Sequence, residues 1–273
     1  MKLFSKQHIL IAAHRGAAGG NIPCNTIPAY EIALMQGADI IETDVEMTGD
    51  GKLVVFHPTM EKAHLDFDGE ICNMPWEEVK KLRYVNNDRV PTQFGIETFD
   101  DLLECFKDRC ILNIDKFWGH PAEIYRVIKA HNMVDQVIVK SAPTPLVYDV
   151  LEEIAPDVPF MPIIRNPLGD EYLNKKINYV GAEVLFKTEE SPVISQEFID
   201  EMHSNNKLLW VNSIIYNYRQ QLAAGHSDDT ALTESKEIGW GWLYDKGFDI
   251  IQTDWTQMLV TYLKDNNKYY RDI

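Results

Sequence analysis

Short apolar runs rich in β-branched residues recur along the chain, each separated from the next by a longer amphipathic stretch. Ile9–His14, Ile40–Met47, Ile111–Asp115, Val137–Lys140, Phe160–Arg165, Glu183–Lys187, Leu208–Asn212 and Asp249–Asp254 have the length and composition of buried strands. Between them Thr26–Gln36, Phe99–Phe106, Pro121–His131, Thr144–Ile154, Ser195–Asn205 and Ser235–Lys246 carry helical patterning, and Gln257–Lys264 closes the series. Thr98 and Ser195 stand where helices start, and Gly37 and Gly247 where helices should stop. Strands alternating with helices predict a parallel α/β fold, and eight such strands fit a (β/α)8 TIM barrel.

Two segments break the alternation. Leu53–His57 reads as an extra strand joined to Ile40–Met47 through the turn at Gly49–Gly51. Pro58 to Gly95 is polar with little periodicity, and it reads as an insertion over the barrel mouth. The second break is Tyr216–Ser235, whose stretch Ala223 to Asp229 reads as loop. The expectation is therefore one domain spanning residues 1–273, with an insertion at about 58–95; (β/α)8 barrels of about 250 residues are typically single domains.

Composition narrows the function. The chain is 45% apolar and 25% charged, as in soluble globular proteins, and its formal net charge is -16. That charge argues against nucleic-acid binding and against docking on anionic membranes. An anionic substrate would need a locally positive site. No run approaches the ~18 apolar residues of a membrane span. The short polar segment Met1–Gln7 and the apolar run after it, which ends in His14-Arg15, predict a first strand rather than a signal peptide, hence cytoplasmic residence. Cys24, Cys72, Cys105 and Cys110 form no C-x-x-C pair, so free thiols are expected.

In parallel barrels reactive groups gather at the C-terminal ends of strands. Those ends hold His14-Arg15, Glu42 and Asp44, Asp115-Lys116, Lys140, Arg165, Lys187, Asn212 and Asp254. Charge at any single strand end is common, but a basic set within an acidic chain is what an anion site requires. Glu42 and Asp44 occupy alternate positions and share a face, with Thr43 and Val45 opposite. Two carboxylates so close repel unless a cation lies between them, and Asp115 ends the next barrel strand. Three carboxylates without a His or Cys cluster suit a hard divalent ion, Mg²⁺ or Ca²⁺, more than zinc. The competing reading pairs Glu42 or Asp44 with Arg15 or Lys116. His14 and His57, at the ends of flanking strands, are the candidates for proton transfer. The remaining histidines, His226 among them, fall in termini, loops or helices and take no role.

With those residues in place, the chain resembles the glycerophosphodiester phosphodiesterase family. Ala13-His14-Arg15-Gly16, Pro23-Cys24-Asn25-Thr26, Gly37 to Val45, Thr48 to Gly51 and Val54 to His57 follow its signature in order and spacing, and Val90-Pro91-Thr92 and Gly247 to Asp254 extend the likeness. The resemblance implies a TIM barrel with a small insertion after His57. It implies one divalent ion on Glu42, Asp44 and a third-strand carboxylate, His14 and His57 as the acid–base pair, and Arg15 on the phosphate. The implied reaction splits a small-molecule glycerophosphodiester into glycerol 3-phosphate and an alcohol. Three positions depart from the family pattern: Cys24 replaces a usual Glu, Pro58 a usual Asp, and Asp115-Lys116-Phe117 a usual Glu-x-Lys. In a regular strand Lys116 would face away from Asp115, so Lys116 and Lys140 share the expected phosphate role. An Asp in the ligand position also resembles sphingomyelinase D-like phospholipases. A lysophospholipase D-type activity and a catalytically weakened phosphodiester-binding protein are therefore the alternatives.

Overall fold

A computed structural model describes residues 9–217 and 219–269; the segment Met1–Gln7 lies outside the described residues. Its strands are β1 (Leu10–Ala13), β2 (Ile40–Met47), β3 (Leu53–Val55), β4 (Ile111–Asp115), β5 (Val137–Ser141), β6 (Phe160–Ile164), β7 (Gly181–Val184), β8 (Leu208–Asn212), β9 (Ile215–Asn217), β10 (Gln220–Gln221) and β11 (Ile250–Thr253). Eight of them pair in parallel in the order β1-β11-β8-β7-β6-β5-β4-β2, and β1 pairs again with β2, Ala12 opposite Ile40, to close a barrel. The TIM barrel read from the alternation is the fold.

Strand alternation sorts each side chain. Leu10, Ala12, Ile40, Ile111, Ile138, Met161, Trp210 and Ile250 fill the barrel interior. Ile41, Val45, Leu112, Ile114, Val137 and Val139 face outward and pack on helical residues such as Tyr30, Phe99, Leu102, Phe106 and Ile124. The helix Phe99–Phe106 buries Phe99, Leu102, Leu103 and Phe106, the spacing of one helical face. Side-chain caps fix where the helices begin: the Thr98 hydroxyl accepts from Asp101 N–H and the Ser195 hydroxyl from Phe198 N–H, each worth about 1 kcal/mol. Among the described residues no helix is long and apolar enough to cross a membrane.

The extra strand is present. β3 runs antiparallel to β2, Val45 opposite Val55, and carries the chain back toward the barrel mouth. Residues 58–95 hold the short helices Glu61–Leu65 and Trp76–Val79. Leu65, Ile71, Val79 and Tyr84 pack with Val54, Phe56 and Ile96 in a small apolar cluster of their own.

Three sequence expectations need correction. The strand expected at Glu183–Lys187 begins at Gly181, and Lys187 lies beyond it. Gly181 and Ala182 are weak strand formers, but pairing with β8 overrides propensity, and a Cβ at Gly181 would sit 2.2 Å from the Leu208 carbonyl oxygen. The stretch Ala223 to Asp229, expected as loop, runs at its end into a helix at Asp228–Thr233, and the β9–β10 hairpin precedes it. The helix expected over Ser235–Lys246 starts instead as a π-helical turn, Glu237–Gly241, before the α-helix Trp242–Lys246.

Candidate active site

The site begins with register. Asp44 on β2 lies directly opposite Asp115 on β4, and Glu42 is two residues back on the same inward face. Asp44 is 0% and Glu42 2% exposed, and Glu42, Asp44 and Asp115 each offer an oxygen within 4.8 Å of the others. Burial, and then the charge of Asp44, push the Glu42 carboxyl up from 4.5 to about 7. Asp44 Oδ2 accepts from the Asn25 amide at 2.8 Å and lies 3.0 Å from Arg15 Nε. Asp44 Oδ1 is buried with no hydrogen-bond partner. A buried carboxylate oxygen without a hydrogen bond, inside a cluster of carboxylates, fits a hard divalent cation, because a buried polar atom left unsatisfied is otherwise costly.

Positive charge reaches the cluster through unusual backbone. Arg15 has φ +54° and turns at the exit of β1, so its N–H meets Glu42 Oε2 at 2.9 Å while its guanidinium meets Asp44. Gly16 continues that turn at φ +80°, where an added Cβ would sit 2.8 Å from the Ala29 carbonyl carbon. Lys116 has φ +61°, so the strand ends at Asp115 and the side chain swings back. Its Nζ donates to Asp115 Oδ2 and lies 3.6 Å from Asp44 Oδ1. The left-handed residue undoes the facing problem that regular strand geometry imposes on this lysine. Burial raises the Asp115 carboxyl, but the neighbouring charges of Lys116 and Lys140 outweigh it and leave that carboxyl below its ordinary value.

Lys140 sits elsewhere. It is 3% exposed inside the barrel, donating to Glu183 Oε2 at 2.6 Å and lying 4.0 Å from the centroid of the Trp210 ring. Asn212 donates to Glu183 Oε1 at 2.7 Å, which completes a buried polar layer. The structure thus brings Lys116 onto the carboxylates and holds Lys140 in an ion pair.

The two histidines differ in setting. His14 Nδ1 lies 2.8 Å from Asp254 Oδ1. Burial lowers its pKa, but the hydrogen bond to Asp254 and the charges of Glu42 and Asp254 leave it raised. His57 Nδ1 lies 2.7 Å from the Pro58 carbonyl, and its Nε2 is 4.0 Å from Asp44 Oδ1. Burial dominates there and lowers its pKa. A cavity of about 630 Å³ opens beside His14 and Arg15, with Cys24, His64, Asp254 and Trp255 on its walls.

Sequence reasoning gave no role to Asn25 or Asp254. Asn25 lies in the quoted Pro-Cys-Asn-Thr motif and Asp254 at a strand end, so both carried a signal. His226 is buried against Trp242 and lies within hydrogen-bonding distance of Glu189 and the Ile238 carbonyl, a packing role within its loop. Cys24, where the resembled family has Glu, stays a thiol at neutral pH, because burial pushes it up to about 11. Cys24, Cys72, Cys105 and Cys110 stand as thiols, outside any disulfide.

The chain is 32% identical over 146 residues to a protein from Caldanaerobacter subterraneus named glycerophosphodiester phosphodiesterase, and 28% identical over 211 residues to one of that name from Bacillus altitudinis. The first match spans 48% of this chain and 57% of that protein, the second 73% and 83%. Over these stretches the chain is similar to proteins named glycerophosphodiester phosphodiesterase. Among the first such relatives the matched stretch spans about half of the relative's length, 57% in the protein from Caldanaerobacter subterraneus and 35% in one from Rattus norvegicus. Solved phosphodiesterase structures share the fold. A glycerophosphoryl diester phosphodiesterase from Parabacteroides distasonis superposes with a TM-score of 0.79 at 20% identity, covering 97% of this chain and 89% of its own. A phosphodiesterase from Oleispira antarctica superposes at 0.70 and 19% identity, covering 94% and 97%. A separate family profile, described as a domain of unknown function, matches residues 160–263.

Proposed function

We propose that this protein hydrolyses glycerophosphodiesters to glycerol 3-phosphate and an alcohol, using a divalent cation, Mg²⁺ or Ca²⁺, held by Glu42, Asp44 and Asp115. The observation that carries the reading is the buried Asp44 oxygen that has no hydrogen-bond partner, in a cluster of three carboxylates and near Lys116 and His57. A bound cation supplies Lewis-acid stabilisation of charge on the phosphate. The Oleispira antarctica relative was solved with the product sn-glycerol-3-phosphate, the product expected here.

The chain's own groups do the rest. Arg15 and Lys116, both beside Asp44, hold the phosphate and offset charge that builds on its oxygens. Lys140 adds positive charge from the barrel interior without touching the cluster. His57 donates Nδ1–H to the Pro58 carbonyl, which leaves Nε2 open as a proton acceptor. We assign it the first step: it takes a proton from the substrate's free glycerol hydroxyl, whose oxygen attacks phosphorus and closes a cyclic phosphate. The bond from phosphorus to the alcohol breaks as His14, steadied by Asp254, gives that oxygen a proton. Water then opens the ring with the two roles exchanged.

The test is release of glycerol 3-phosphate from glycerophosphocholine and glycerophosphoethanolamine, followed by a coupled dehydrogenase. Turnover should stop with EDTA and return with Mg²⁺ or Ca²⁺. Cleavage of lysophosphatidylcholine alone would favour the lysophospholipase D reading, and binding without turnover the weakened binding protein.

A further inference from the structure

We propose that Asp228 is a positioning residue that holds Asp254, and through it the His14 ring, in place. The inference rests on the assignment of His14 as the proton donor. It starts from a buried carboxylate, 3% exposed, for which no cationic partner is found among the described residues. Burying a carboxylate is costly unless its lone pairs are filled. Here they are filled by neutral donors. Oδ1 lies 2.7 Å from the Ser213 hydroxyl and accepts from the Trp240 indole and the Thr253 hydroxyl at 2.8 Å each. Oδ2 accepts the backbone N–H of Asp254 at 2.8 Å.

Those partners join separate parts of the barrel mouth. Ser213 follows β8, and Thr253 and Asp254 stand at the exit of β11. Trp240 comes from the π-helical turn, which packs so closely that a Cβ at Gly239 would lie 2.6 Å from the Ala231 Cβ. The Asp254 side chain is 49% exposed and meets only His14 among the described hydrogen bonds, so its aim depends on how its backbone is anchored. A carboxylate suits this place better than an amide, because Trp240 Nε1 and Asp254 N–H can only donate. All of these residues except His14 fall within the segment, 160–263, that matches the domain of unknown function. The path runs from the π-turn through Trp240 and Asp228 to Asp254 and His14.

The experiment compares Asp228→Ala, Asp254→Ala and their combination, with His14→Ala as reference, on glycerophosphocholine. Asp228→Ala should lower kcat by about tenfold to a hundredfold, as misplacement of a reacting group does, and leave KM within about twofold. Added to Asp254→Ala it should cost less than about a further threefold, since both act through one ring. The His14 Nδ1 proton, identified in NMR spectra by its loss in His14→Ala, should vanish in Asp228→Ala as in Asp254→Ala. An unchanged kcat, a persisting proton signal, or a full multiplicative loss in the combination would each overturn the proposal. Should Asp228→Ala not fold, Asp228→Asn keeps the size and one acceptor and carries the same cycle with a smaller expected loss. If His14→Ala retains wild-type kcat the acid–base assignment fails, and the proton signal alone still decides whether Asp228 holds Asp254 against His14.

Discussion

His14 and His57 carry the same ring but face the site through opposite hydrogen bonds, one to a carboxylate and one to a carbonyl. Each substitution, His14→Ala and His57→Ala, should lower kcat by about 10²–10⁴-fold, the usual contribution of a placed acid or base. Wild-type rates in either variant would remove that histidine from the mechanism. Lys116→Met should cost about 10²-fold in kcat/KM, the loss typical of one charge-stabilising donor, and steady-state kinetics on glycerophosphocholine would reveal it. Glu42 and Asp44 were legible as an inward pair because alternation along a strand is a local rule, and Asp115 as the carboxylate that ends the next barrel strand. Lys116 could be named only jointly with Lys140, because its position depends on a left-handed residue at φ +61°, which the side-chain pattern does not announce.

Elements were legible as kinds more than as limits. The helix Ile27–Met35 illustrates what one buried group does to an element. Glu97 accepts the Ile27 N–H at 2.6 Å, and burial pushes its carboxyl from 4.5 to about 7. A carboxyl raised on folding contributes stability that is complete below its unfolded pKa and is lost as pH rises through the folded value. The cost therefore grows between about 4.5 and 7 and is full above. Glu97→Gln, which keeps an acceptor for Ile27, should melt about 2 °C higher than wild type at pH 8.5 and close to it at pH 5. A lower melting point at pH 8.5 would contradict this account. The start of β7 and the helix Asp228–Thr233 escaped the pattern for a different reason. Gly181 and Ala182 become strand only because β8 lies beside them, and Ser227-Asp228-Asp229 looks like a turn until its cap, Ser227 Oγ with Thr230 N–H, is seen.

At the scale of the whole molecule, closing the barrel puts charges together in its interior. Lys140 and Glu183 are 3% and 5% exposed and satisfy each other. Lys140→Met should destabilise by roughly 3–5 kcal/mol, since it leaves Glu183 charged and unpaired in the interior. Adding Glu183→Gln, which can still accept from Asn212, should restore at least half of that loss in urea unfolding. If the double variant is no more stable than Lys140→Met, the ion pair is not the reason for the cost. The net charge of -16 is a property of the surface as a whole and coexists with a mouth where Arg15 and Lys116 face the carboxylates.

By itself the sequence determined the alternation of strands and helices, the inward pair Glu42 and Asp44, and His14 and His57 at strand ends, since all of these follow from periodicity and order along the chain. Only the tertiary structure decided the register that sets Asp44 against Asp115, the turn that returns Lys116 to them, the burial of Lys140 with Glu183, and the convergence of Ser213, Asp228, Trp240 and Asp254 behind His14. Those contacts join residues distant in the chain, and they form only when the barrel closes and its neighbours pack.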